Sequence, residues 1–159
     1  FNRIESDSDG KIRIENLDTD IFKNFDLYLV HTGQARSSTD VLKTIDPDKC
    51  VALLKASDEM YSAIIKKNYD DVLELINEGW KIKKDTGKIA EDKRVAELDE
   101  LLENRKDILA HRLLGAGNGG YFLVFTKKDS KIEDSMKNIS IKMVKVDVCH
   151  AGPVCIKMN

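Results

Sequence analysis

The sequence has little of anything that marks a specialised class of chain. Its 159 residues include two prolines, one tryptophan and three cysteines, Cys50, Cys149 and Cys155, an odd number without CxxC spacing. A chain of this length does not need covalent staples, so a disulfide scaffold is excluded and reduced, intracellular thiols are expected. Cys149 and His150 are neighbours. Successive strand residues point to opposite faces, however, and no further Cys or His lies near, so no metal centre is expected. Charge of one sign is lacking too: 26 Lys and Arg against 28 Asp and Glu leave a net charge of -2, and no overall field recruits nucleic acid or anionic lipid. The longest apolar runs, such as YFLVF at 121–125, fall far short of the roughly 18 to 20 residues that cross a bilayer, so no membrane partner is expected. No initiator Met and no charged start, apolar middle and small-residue cleavage site are present. Phe1 is therefore expected to be a cut end, and the chain a fragment of a soluble, cytoplasmic protein. Its 42% hydrophobic content suffices for the core of one domain spanning 1–159.

What is present is a change of period along the chain. Arg3 and Ile4 precede, and Ile12 and Ile14 follow, an Asp9-Gly10 pair that suits a tight turn, so two short strands are expected. The run Glu5, Asp7, Asp9 brushes a calcium loop, but its first residue is not Asp and Asn16 stands where the twelfth ligand should be Glu; a solvated turn is the better reading. DLYLVHT (26–32) reads as a buried central strand, and the following GQARSS (33–38) as a loop whose Ser37 or Ser38 caps a helix. Helix is then expected to dominate. Leu53, Leu54, Met60, Tyr61, Ile64 and Ile65 form one stripe, Tyr69, Val72, Leu73, Ile76 and Trp80 a second, and Val95, Leu98, Leu101, Leu102 and Leu109 a third. Strand character returns at 111–114, 121–126, 139–147 and 153–158, with Ile139, Ile141 and Met143 alternating and polar or glycine-rich connections between. The order is that of an α+β domain: an antiparallel sheet with helices packed on one face.

Two segments carry chemistry. GAGNGG (115–120) places four glycines between apolar strands. Each glycine gives up roughly 0.5 to 1 kcal/mol relative to Ala, so the run implies a backbone path closed to side chains, along which something comes close. Its amides could form a concave nest for phosphate oxygens or steady a neighbouring loop that holds them; a wide, ligand-free hairpin is the alternative. The pattern G-x-G-x-x-G is satisfied, but a dinucleotide site needs a helix after it, a kinase loop needs a V-A-I-K strand and a P-loop needs Gly-Lys-Ser/Thr. The second segment is HTGQARSS (31–38). Arg36 offers a planar fork of donors, Thr32, Ser37 and Ser38 supply hydroxyls, and a helix N-terminus favours negative charge. A capped helix with a solvated Arg is the alternative.

Taken together, LYLVHTGQARSS (27–38), INEGWKIKK (76–84) and HRLLGAGNGGYFLVF (111–125) resemble the C-terminal half of sugar kinases in the GHMP superfamily, nearest to the heptose-phosphate kinases. There a strand ends in Thr-Gly-x-x-Arg-Ser-Ser, a helix carries Trp followed by Lys, and a Gly-rich motif precedes an apolar strand. The resemblance covers most of the chain, in order and with comparable spacing. It implies a ferredoxin-like domain of a kinase that moves the gamma-phosphoryl of ATP, with Mg2+, to a sugar or sugar-phosphate hydroxyl. In that family the ATP loop and catalytic Asp belong to the N-terminal half, so this fragment would hold no catalytic residue and be inactive alone. Its partners would be that missing domain and the sugar, with a homodimer also allowed. The resemblance assigns Gly115, Ala116, Gly117, Asn118, Gly119 and Gly120 to support of the nucleotide loop, and Thr32, Gly33, Arg36, Ser37 and Ser38 to the acceptor. Trp80 and Lys84 match the helix motif, with core packing the first reading of Trp80 and sugar contact the second. Asn118 stands where the family has Gly, a change expected to preserve a left-handed backbone. His111 and Arg112 replace a Gly-Lys pair, which puts any role of that Lys in doubt. His31 reads as structural. Gly117→Val is expected to cripple turnover while sparing the fold. The competing functions are a non-catalytic α+β module that grips a small anion and, more remotely, a structural interaction domain.

Overall fold

The computed structural model describes residues 2–17, 20–34, 38–137 and 141–148. The expected strand at 153–158, Ile139, Cys149, His150, Cys155, and the candidate ligands Arg36 and Ser37 lie outside the described residues. Strands β1 (Asn2–Ser6) and β2 (Ile12–Asn16) form the expected hairpin, paired from Asn2 opposite Asn16 to Ser6 opposite Ile12. Gly10 turns it with φ +75°. Asp7 accepts the amides of Asp9 and Lys11 at 3.1 and 2.8 Å, so its carboxylate serves the turn.

The main sheet has the order β4-β5-β3-β6, antiparallel throughout. It comprises β3 (Phe25–His31), β4 (Ile108–Leu113), β5 (Tyr121–Lys127) and β6 (Met143–Val146). Between β3 and β4 come α1 (Ser38–Leu42), α2 (Val51–Ile65), α3 (Tyr69–Asp85) and α4 (Lys93–Glu103), and between β5 and β6 comes α5 (Ile132–Lys137). From β3 onward this is a β-α-β-β-α-β order, the ferredoxin-like arrangement. The sheet is α+β and antiparallel as expected, and its helical cover extends to both faces. Tyr28, Val30, Phe122, Val124 and Leu113 meet Trp80, α4 and α5 in one apolar cluster. Leu27, Ala110 and Phe125, on the opposite side of the pleat, meet Ile64 of α2 and Val72, Leu73 and Ile76 of α3 in a second.

Helix α3 serves both clusters because it runs along the β4 edge. Asn77, between its two apolar stripes, donates from Nδ2 to the Leu109 carbonyl at 3.0 Å and accepts the His111 amide at 3.0 Å, taking the place of a neighbouring strand. Its start is set by Asn68, whose side chain accepts the Asp71 amide.

Three expectations need correction. Leu109 does not extend the third helical stripe. That helix ends at Glu103, and Leu109 sits at a bulge in β4, where the register shifts between Ile108 and Ala110. In α2, Leu54 and Ile65 are 68% and 55% exposed, because each is one residue, and so about 100°, away from the inward Leu53 and Ile64. The connection expected to be merely polar holds α5, which buries Ile132 and Met136 four residues apart.

Candidate functional site

Antiparallel pairing places His31, at the end of β3, opposite Tyr121, at the start of β5. The β4–β5 connection, residues 115–120, is thereby brought against residues 32–34, so two of the segments singled out in the sequence meet at one end of the sheet. Thr32 is buried; its amide and hydroxyl both donate to the Gly120 carbonyl, at 2.9 and 3.0 Å. The Gly120 amide in turn donates to the Gln34 carbonyl at 3.0 Å. The Thr32 hydroxyl is thus committed to the glycine run.

Close approach explains two of the glycines, and the approaching groups come from this domain. A Cβ on Gly117, whose φ is +123°, would lie 2.6 Å from Cγ2 of Ile89; one on Gly119 would lie 2.8 Å from the Gln34 carbonyl oxygen. A Cβ on Gly115 or Gly120 would meet nothing within 4 Å. The expectation that Gly117→Val spares the fold is therefore corrected: valine there collides with Ile89 in an unfavourable backbone conformation.

Asn118 also differs from expectation. It is not among the residues with positive φ. Instead it is buried, donates from Nδ2 to the Lys88 carbonyl at 2.6 Å and accepts the Glu91 amide at 3.1 Å. Together with the bond from the Ala90 amide to the Gly117 carbonyl, 2.8 Å, it fastens the run to the segment before α4 and holds Ala90 at a φ of +56°.

After these bonds, the amides of residues 115–119 donate to nothing among the described residues. A cavity of about 310 Å3 opens over the run, walled by Leu29, Val41 and Tyr121. Lys83 reaches the same corner and donates to the Gly115 carbonyl at 2.6 Å. Burial, then the neighbouring Arg112, push the Lys83 ammonium below the usual lysine range. On the other side of residues 32–34 a cavity of about 550 Å3 is bordered by Thr32, Gly33, Arg94 and Lys142. The Arg94 guanidinium lies 3.4 Å from the place of a Cβ on Gly33, which has φ +77°. Sequence reasoning passed over Arg94, because nothing in its own helix marks it as a neighbour of Gly33. Ser38 begins α1, and nothing is described of its side chain.

Trp80 and Lys84 do not join this site. Trp80 is 1% exposed and lies edge-to-face on Phe122, with ring centroids 6.0 Å apart. Its indole N–H donates to Asp99 Oδ1 at 2.7 Å, His111 Nε2 lies 2.9 Å from the same oxygen, and Lys84 Nζ donates to Oδ2 at 2.6 Å. Burial alone would raise the Asp99 carboxyl; the hydrogen bonds from His111, Lys84 and Trp80 outweigh it and hold the pKa at about 2. His111 is likewise structural, and His31 lies on the exposed rim with its ring 4.9 Å from that of Tyr121.

No protein-family model matches the chain, and no curated protein matches its sequence. Its fold, by contrast, is similar to solved kinases. Phosphomevalonate kinase of Streptococcus pneumoniae superposes with a TM-score of 0.64 at 12% identity, over 88% of this chain and 45% of that one. Mevalonate kinase of L. major, solved with R-mevalonate, gives 0.61 at 16%, over 82% and 41%. Galactokinase of Lactococcus lactis, solved with galactose, gives 0.59 at 14%, over 91% and 50%. The chain spans half the length of these kinases or less, and over that span it has the α+β fold of a GHMP kinase C-terminal domain.

Proposed function

We propose that this chain is the C-terminal half of an ATP-dependent sugar or sugar-phosphate kinase of the heptose-phosphate type, acting in the cytoplasm with an N-terminal half that carries the nucleotide loop and catalytic acid. The observation that carries the reading is the run of undirected amides at residues 115–119, braced from below by Asn118 and Ala90 and flanked by residues 32–34, on a fold similar to kinases. Phosphoryl transfer is chiefly positioning and charge stabilisation, so preset N–H groups beside the phosphates lower the barrier without reorganising. The S. pneumoniae phosphomevalonate kinase has been solved with phosphomevalonate and AMPPNP, which supports ATP as the donor here.

The donor set fits phosphate oxygens. It does not fit a magnesium ion, whose hard oxygen ligands would come from ATP and the N-terminal half. ATP, when bound, supplies the transferred phosphoryl group. Gly115, Ala116, Asn118 and Gly119 offer amides toward the loop that cradles it, and Gly117 and Gly120 give that wall its path. Lys83 adds positive charge at its edge, Thr32 and Gly33 fix the wall to the acceptor side, and Arg36, Ser37 and Ser38 would hold the acceptor sugar. The test joins this chain to its upstream coding region and assays ATP turnover with heptose phosphates and hexoses. Turnover with one of them is expected, and none with any would overturn the reading. A second reading, a non-catalytic module that grips a small anion, draws support from Ile89 and Gln34, which account for Gly117 and Gly119 without any partner. Saturable binding of inorganic phosphate at residues 115–119 of this chain alone would favour it.

A further inference from the structure

The second face of the sheet holds a cavity that meets the glycine corner at Lys83, whose ammonium donates to the Gly115 carbonyl at 2.6 Å. It lies between α2, α3 and the strands, measures about 610 Å3 and is walled by Ile21, Met60, Ile76, Leu123 and Phe125. Arg112 and Lys83 stand on its wall. Arg112 pairs with Leu123 across β4 and β5 and therefore shares its side of the pleat. Lys83 lies seven residues after Ile76 on α3, on that helix's matching stripe.

The charge here is unbalanced. The Arg112 Nε is buried and donates to nothing, and no carboxylate among the described residues pairs with either cation. Burial holds the guanidinium below its ordinary range, as it does the Lys83 ammonium. Two like charges on a largely apolar wall are costly unless something negative neutralises them. Space for a tail is also present: Gly79 lines the cavity, and a Cβ built on it meets nothing within 4 Å.

We propose that this cavity binds an amphipathic organic anion, an aliphatic chain ending in a carboxylate or phosphate, with its head on Arg112 and Lys83 and its tail between α2 and the sheet. The shape supplies both halves of the recognition. The apolar walls exclude water from the tail, and the planar Arg fork takes two oxygens of the head at once. The inference does not rest on the kinase reading.

The test is calorimetric titration of this chain with decanoate and decyl phosphate, with 1-decanol and inorganic phosphate as controls, and amide NMR to locate the site. Saturable one-to-one binding of at least one of the two anions is expected, with shifts at Leu123 and Phe125, and the tighter of the two identifies the head group. Decanol is expected to bind at least about tenfold more weakly. Arg112→Met is expected to weaken the anion by a similar factor while melting no lower than the parent, since it removes an unpaired buried charge. Gly79→Leu fills the cavity with a better helix former and is expected to abolish binding while the chain stays folded. The proposal is overturned if neither anion binds, if decanol binds as tightly, if either folded variant binds as the parent does, or if Leu123 and Phe125 do not shift.

Discussion

Asn118 shows what a single side chain does for the glycine run. Its amide group satisfies the Lys88 carbonyl and the Glu91 amide together, so Asn118→Ala leaves two backbone groups to find water. A loss of about 2 kcal/mol in urea unfolding is expected. Gly117→Val is expected to cost at least as much, read the same way, because both the Ile89 contact and the backbone conformation oppose it. Asp99 is a residue whose protonation bears on stability. Its folded pKa of about 2 lies below the ordinary carboxylate value, so its contribution is complete above about pH 5 and is lost as pH falls through 4 toward 2. Asp99→Ala is expected to lower stability by about 3 kcal/mol at neutral pH, and acid titration of its unfolding free energy should lose much of the slope seen in the parent between pH 4 and 2. Little of this was legible in the sequence. Asp99, Trp80, Lys84 and His111 are four unremarkable letters until α3, α4 and β4 bring them together. Asn118 looked like a glycine substitute because its backbone tolerance is a local property and its two acceptor and donor contacts are not.

At the scale of elements, the legible parts are those in which local pattern and tertiary demand agree. Helix α3 has an Asn cap, an unbroken stripe and lysines in its last turn. From Leu27 to Val30, strand β3 is apolar on both faces because both are covered. The errors arise where they diverge. Leu109 keeps the seven-residue spacing from Leu102, but after Glu103 the chain leaves the helix, and a bulge, not a helical turn, aims Leu109 inward. Helix α5 is too short to show a period beyond its one inward pair, Ile132 and Met136. The edge of β4 depends on Asn77, and here too a test exists. Asn77→Ala is expected to speed hydrogen exchange at the His111 amide by at least about tenfold under native conditions, while the amides shared by β3 and β5 stay protected.

At the scale of the molecule, the hairpin of β1 and β2 is the least self-sufficient part. Ile4, Ile12 and Ile14 are about two-thirds exposed, and the hairpin is tied to α2 by Arg3 with Asp58 and by Glu15 with Tyr61. A lone two-stranded hairpin is marginal in water, so the two ties to α2 are what hold it. The central claim of the proposed function is that the amides of residues 115–119 receive the phosphate-bearing loop of an N-terminal half. The direct measurement is hydrogen exchange at those amides in the enzyme joined to its upstream region, with and without Mg-AMPPNP. Slowing by at least about tenfold at Gly115, Ala116, Asn118 and Gly119 on nucleotide binding is expected. Unchanged exchange at all four, with AMPPNP demonstrably bound, would contradict the account.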